Sequence, residues 1–190
     1  MATTNHILVA LVEDRPGVLN RVSSLFRRRN FNIENIAVGR TEHPGLSRMT
    51  IVVGGDSAKV EQVRKQLDKV IEIVKIVDIT DEEPVARELA LVKVKATPAT
   101  RSEIIQIVDI FRANIVDVSA DSLMVEITGD EDKVDSLLDL LRGFSIKGLA
   151  RTGCIALSRG AAAPLHVEGV KISDRLKKTS RKRAKKTSNW

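Results

Sequence analysis

The chain is poor in the residues on which most catalytic and nucleic-acid chemistry depends. Of its 190 residues none is tyrosine, one is cysteine, and the one tryptophan is the last residue, Trp190. A single thiol, Cys154, cannot form an internal disulfide and cannot build a cysteine metal cluster. It points to a reducing, cytoplasmic setting. Aromatics make up 3% of the sequence, so no strand carries the stacking pair of an RNA-recognition surface. The three histidines, His6, His43 and His166, fall at a strand start, in a Pro-Gly turn and near the C-terminus, and no two have helical metal-ligand spacing. No phosphate loop of glycines ending in lysine is present either. Lys, Asp or Glu interrupts every apolar run well before the roughly 18 residues that would span a membrane. The first residues carry neither a basic segment nor a long apolar stretch, so no secretory signal is expected.

What remains is an ordinary globular composition, 43% hydrophobic, with an uneven charge. The net charge is +6, but residues 171–190 alone hold nine basic residues and one acid. The preceding 170 residues hold 22 basic and 24 acidic side chains, so the body is slightly acidic. The high isoelectric point therefore belongs to the tail, which argues against a nucleic-acid-binding body. Residues 161–190 contain few large apolar residues and are read as a basic, unstructured tail, with a possible short helix near 170–178.

The apolar periodicity describes one unit twice. Ile7-Leu8-Val9-Ala10-Leu11-Val12 is a buried strand, and Glu13-Asp14-Arg15-Pro16-Gly17 is a turn. Val18, Leu19, Val22, Leu25 and Phe26 then recur at helical spacing. Strands follow at Ile33 to Val38 and Met49 to Val53, a helix with Val60, Val63 and Leu67, and a fourth strand from Ile73 to Ile79. Asp81-Glu82-Glu83-Pro84 starts an acidic linker, residues 81–87. The order β-α-β-β-α-β resumes at Leu89, with Thr100-Arg101-Ser102-Glu103 as a capping box and Ile146 to Leu157 as a closing strand broken by Gly148 and Gly153. The fold class is α+β: two ferredoxin-like units at 5–80 and 88–160, each an antiparallel sheet with helices on one face. The other sheet faces are expected to be open, and units this small are expected to pair with further copies.

One loop has chemical character. A free amino acid is a zwitterion, and a protein that binds one offers donors to its carboxylate and acceptors to its ammonium. A helix N-terminus supplies unpaired amides and the positive end of a dipole. Pro16 suits the first helical turn, Gly17 lets a ligand approach the backbone, and Asp14 lies within reach of an ammonium. The plainer alternative is a strand-to-helix turn with Asp14 as its cap. Cys154, inside an expected strand, reads as a core thiol and not a nucleophile. No catalytic constellation and no metal site is visible.

The stretch Ile7 to Leu19 resembles the opening of an ACT domain. Together with Leu25-Phe26-Arg27-Arg28-Arg29-Asn30-Phe31-Asn32-Ile33-Glu34, Leu46-Ser47-Arg48-Met49-Thr50-Ile51, Arg87-Glu88-Leu89-Ala90-Leu91-Val92-Lys93 and Ala156-Leu157-Ser158-Arg159-Gly160, it is similar to the small regulatory subunits of acetolactate synthase. The resemblance covers nearly all of residues 5–160. It implies a non-catalytic chain that activates a separate catalytic subunit, which itself carries thiamine diphosphate, Mg and FAD; this chain would hold no cofactor. It implies a homodimer through the ACT domain and feedback inhibition by valine, leucine or isoleucine, valine first. By position, Asp14 and Gly17 contact the zwitterion, Asn32 bonds to it from the start of the second strand, and Val18, Leu19 and Ile33 line the pocket. Familiar bacterial members carry asparagine where this chain has Asp14. A stand-alone amino-acid sensor serving another enzyme is the alternative.

Overall fold

The computed structural model describes residues 4–160 and 165. Of the expected tail, residues 161–190, only Leu165 is among these, and the expected short helix lies outside them. The first unit runs β1 (Thr4–Glu13), α1 (Val18–Arg28), β2 (Asn35–Arg40), β3 (Leu46–Gly55), α2 (Ser57–Leu67) and β4 (Ile73–Asp78). Its sheet has the order β2-β3-β1-β4, all neighbours antiparallel. The second unit runs β5 (Val85–Lys95), α3 (Arg101–Ile110), β6 (Asn114–Val118), β7 (Ser122–Gly129), α4 (Glu131–Arg142), β8 (Ile146–Arg151) and β9 (Ile155–Leu157). Here the order is β6-β7-β5-β8, with β9 also on β5. Both are the ferredoxin-like arrangement expected from the periodicity. No described helix is long and apolar enough to cross a membrane.

Each unit has its own core between sheet and helices. Leu8, Ala10 and Val12 meet Val22, Phe26, Val60 and Leu67 in the first; Val92 and Val94 meet Ile104, Val108, Leu137 and Leu141 in the second. Asp56 and Asp130 cap α2 and α4 by accepting from the amides of Lys59 and Lys133 at 2.9 Å.

Four local expectations are corrected. The first sheet's far face is not open: Val9, Leu11, Leu46 and Ile79 pack there with Ala156 and Leu165, and with the partly buried Ala86 and Cys154. Residues 81–87 are not irregular throughout, because a 3-10 turn occupies Thr80–Glu82 and Val85, Ala86 and Arg87 pair with β9. The closing strand ends before Gly153, whose φ of 81° no extended strand can hold, whereas at Gly148 it is only disturbed: the strand continues, with a register shift between the pairs Lys93–Gly148 and Val94–Ile146. The capping box does not form, since the Thr100 hydroxyl accepts from the amide of Thr97 (3.0 Å) and is thereby taken away from the helix amides.

Candidate functional site

The Gly17 loop is shaped by two features of the chain. Pro16 precedes α1 instead of sitting in its first turn, and Gly17 is the N-cap residue with φ 89° and ψ −9°. That conformation favours glycine strongly over residues bearing a Cβ. The alternative of Asp14 as cap fails, because no side chain bonds to the start of α1. Its amide instead donates to the Gly45 carbonyl at 2.8 Å, and its exposed carboxylate lies 3.5 Å from the Arg40 guanidinium. The first helical bond to Gly17 comes from Arg21. The amides of Gly17, Val18, Leu19 and Asn20 thus have no partner among the described residues. The first turn of α1 carries no acidic residue, so no side chain of that turn offsets the positive end of the helix dipole.

A charge clamp fixes the loop. Arg15 reaches Glu13 at 2.7 Å and Glu72 at 2.9 Å, and Arg21 reaches the same Glu72 oxygen at 2.5 Å. Glu13 and Glu72 are both buried, and the amide of Glu13 donates to the Glu72 carbonyl at 2.9 Å. Nothing in the local sequence announces Glu72, which lies 57 residues from Arg15.

The other expected site residues fall in three environments. Val18 is buried and contributes its side chain to the core, so it does not line a pocket at the loop. Leu19 is half exposed, and Ile33 packs partly against the core. Asn32 is exposed and donates from Nδ2 to Glu34 at 2.9 Å. The register places Asn32 far from Gly17 within one chain. Asn35 pairs with Val52 and Val52 with Ile7, whereas Gly17 follows the opposite end of β1, where Glu13 faces Leu46. Six residues of β1 separate these two levels, about 20 Å of strand. One protomer therefore does not bring Asp14 and Gly17 together with Asn32.

Two clefts are described elsewhere. One of about 930 Å³ lies between the units, among Asn5, Glu34, Asn35, Glu88, Arg151 and Gly153; the other, about 670 Å³, lies between β2 and β9. Neither includes residues 14–19. Cys154 sits between β8 and β9, not inside a strand, and burial pushes its thiol above the usual range, as expected of an inert cysteine. Among the described residues no group of His, Cys, Asp and Glu could hold a metal.

Tandem βαββαβ units, the first ending β1 in a glycine-capped loop of unpaired amides, define an ACT-type regulatory protein. A family model for the small subunit of acetolactate synthase matches residues 87–160, and one for the small subunit-like ACT domain matches residues 8–75. The chain is 58% identical to the probable acetolactate synthase small subunit of Archaeoglobus fulgidus over 155 residues, covering 82% of this chain and 97% of the relative. Against the acetolactate synthase small subunit of Bacillus subtilis it is 49% identical over 155 residues, 81% and 90% of the two chains. The crystal structure of the Thermotoga maritima acetolactate synthase small subunit superposes with a TM-score of 0.78 at 42% identity, covering 84% of this chain and 99% of that one. The chain belongs to the family of acetolactate synthase small subunits, and its role is regulatory.

Proposed function

We propose that this chain, in the cytoplasm, activates the catalytic subunit of acetolactate synthase and confers feedback inhibition by a branched-chain amino acid, valine foremost, bound where two ACT domains pair. The observation that carries this is the run of four unpaired amides at 17–20, on a loop whose expected partner Asn32 lies at the far end of the same sheet. β2 pairs only with β3 among the described strands, so its other edge is free. Antiparallel pairing of two β2 edges about a two-fold axis sets the Asn32 end of one sheet beside the Gly17 end of the other. A zwitterion there meets amides and Asp14 from one protomer and Asn32 from its partner, so the site is complete only in the dimer.

The energetics suffice. Inhibition of tenfold requires a coupling free energy of about 1.4 kcal/mol. Burying a valine side chain supplies about 1.5–3 kcal/mol. Catalysis itself, with thiamine diphosphate, Mg and FAD, belongs to the partner subunit. Calorimetry with valine, leucine and isoleucine tests the site directly. Asp14→Ala and Asn32→Ala should each raise the valine needed for half-inhibition about tenfold, the loss of one hydrogen bond to a charged group, while leaving activation intact. Unchanged inhibition in both variants refutes the site.

A further inference from the structure

Asn35, the first residue of β2, makes a contact that spans the two units. Its Oδ1 accepts from the amide of Cys154 at 3.0 Å, 119 residues away. Gly153 beside it has φ 81°, and a Cβ there would overlap the Asn35 side chain, so the close approach requires glycine. The segment around Gly153 is held just as firmly on its other side. The amide of Thr152 donates to the Leu89 carbonyl at 3.0 Å, and the amide of Leu89 donates to the Thr152 hydroxyl at 3.1 Å. Arg151 joins Glu88 and reaches Asp135 at 2.7 Å. Past Cys154 the chain enters β9, whose Ala156 packs against Val9 and Leu11 beneath the first sheet. The 930 Å³ cleft between the units is lined by Asn35 and Cys154, so this hydrogen bond lies at its wall, beside the apolar layer that joins the units.

We infer that Asn35 is a positioning residue through which a ligand held at Asn32 is transmitted to the second unit. The inference rests on the reading of Asn32 as an effector contact. The Asn32 side chain is bonded to Glu34, and the amide of Glu34 donates to the Val52 carbonyl at 3.0 Å, which sets the start of β2. A ligand that takes the Asn32 amide removes one of those restraints three residues before Asn35. The strand start then shifts, and the Cys154 amide, bonded to Asn35, follows. Because 151–154 is fastened to β5 and α4, the displacement reaches the second sheet instead of dissipating in a loose loop. Transmission of this kind needs an element with two arrangements that both sites bias. The Asn35–Cys154 bond is the candidate for that element, since making or breaking it would couple the start of β2 to residues 151–154.

The test uses the full chain assembled with its catalytic subunit. In Asn35→Ala, valine affinity by calorimetry and activation without valine should stay within about twofold of wild type, while residual activity at saturating valine rises about fivefold, the size of one net hydrogen bond. Asn35→Asp retains the acceptor and should restore full inhibition. Asn35→Ser, too short to reach Cys154, serves in place of alanine if that variant does not fold. Hydrogen exchange adds a readout that a merely structural residue would not move. Valine should change protection across 151–157 in wild type and not in Asn35→Ala. Complete inhibition of Asn35→Ala, or loss of its valine binding, overturns the inference. If the wild-type chain binds no branched-chain amino acid, the sensor reading itself fails and takes this inference with it.

Discussion

Replacing Gly17 with alanine is expected to cost about 1–2 kcal/mol of stability and most of the response to effector. The two consequences separate because of the geometry at this position. The backbone φ of 89° is strained for any residue with a Cβ, at about 1–2 kcal/mol. No protein atom lies within 4 Å of where that Cβ would stand, so steric overlap adds nothing. For a domain of this size the strain lowers Tm by about 4–8 °C per kcal/mol. The methyl group would, however, stand beside the Gly17 and Val18 amides, the first two of the four unpaired ones. A ligand carboxylate must come within about 2.9 Å of those nitrogens to bond. The valine needed for half-inhibition should rise more than tenfold, above about 1.4 kcal/mol. Gly160→Ala is the control, since Gly160 also has a positive φ, 62°, and open space around it. It should show the backbone cost and no change in inhibition. If calorimetry finds valine bound normally to Gly17→Ala, the amides do not receive its carboxylate.

The two-unit architecture was legible because alternation and helical spacing are local signals. Each sheet pairs strands whose apolar residues announce themselves within a few positions. The covered far face is also written in the sequence, against the open face that a lone ferredoxin-like unit implies. From Leu8 to Val12 every residue of β1 is buried: Leu8, Ala10 and Val12 face the helices, while Val9 and Leu11 face the other way. A strand apolar on both sides needs two covering layers. The second layer joins Ala86 and Ala156, in paired strand segments some 70 residues apart, with Cys154 and Leu165, so no single stretch of sequence marks it.

The site divides along the same line. Pro16-Gly17 between a strand and a helix is a local pattern, and the loop it marks is present. The partners that fix the loop are distant in sequence: Glu72 for Arg15, and Gly45 for the Asp14 amide. The separation of Asn32 from Gly17 was likewise hidden, because register is a property of pairing and not of either segment alone. The same holds for the Asn35–Cys154 bond. Thr100 shows the converse case, in which a short motif matched and a neighbouring threonine claimed its hydroxyl.

Glu72→Ala should be the most damaging substitution near the loop, in stability as well as in regulation. The Glu72 side chain is 4% exposed, and one of its oxygens takes both Arg15 at 2.9 Å and Arg21 at 2.5 Å. Removing one partner of a fully buried ion pair costs about 3–5 kcal/mol. Arg15 is 22% exposed and Arg21 61%, so water recovers part of the loss. About 2–3 kcal/mol is expected here, read as a fall in Tm of about 10–20 °C. Arg15 then keeps only Glu13, and the turn from β1 to Gly17 is released at one end. Glu72→Gln isolates charge from shape. Its amide oxygen can still accept from Arg15, and an NH₂ group replaces the buried second carboxylate oxygen, which has no partner in the structure. The glutamine variant should therefore lose less stability than alanine, and a salt titration should weaken its advantage little. Loop order then decides the regulatory outcome. If the clamp holds the amides in place, valine affinity falls in the order wild type, glutamine, alanine, in step with Tm. An alanine variant that melts much lower yet binds valine as wild type does would show that the loop keeps its shape without the clamp.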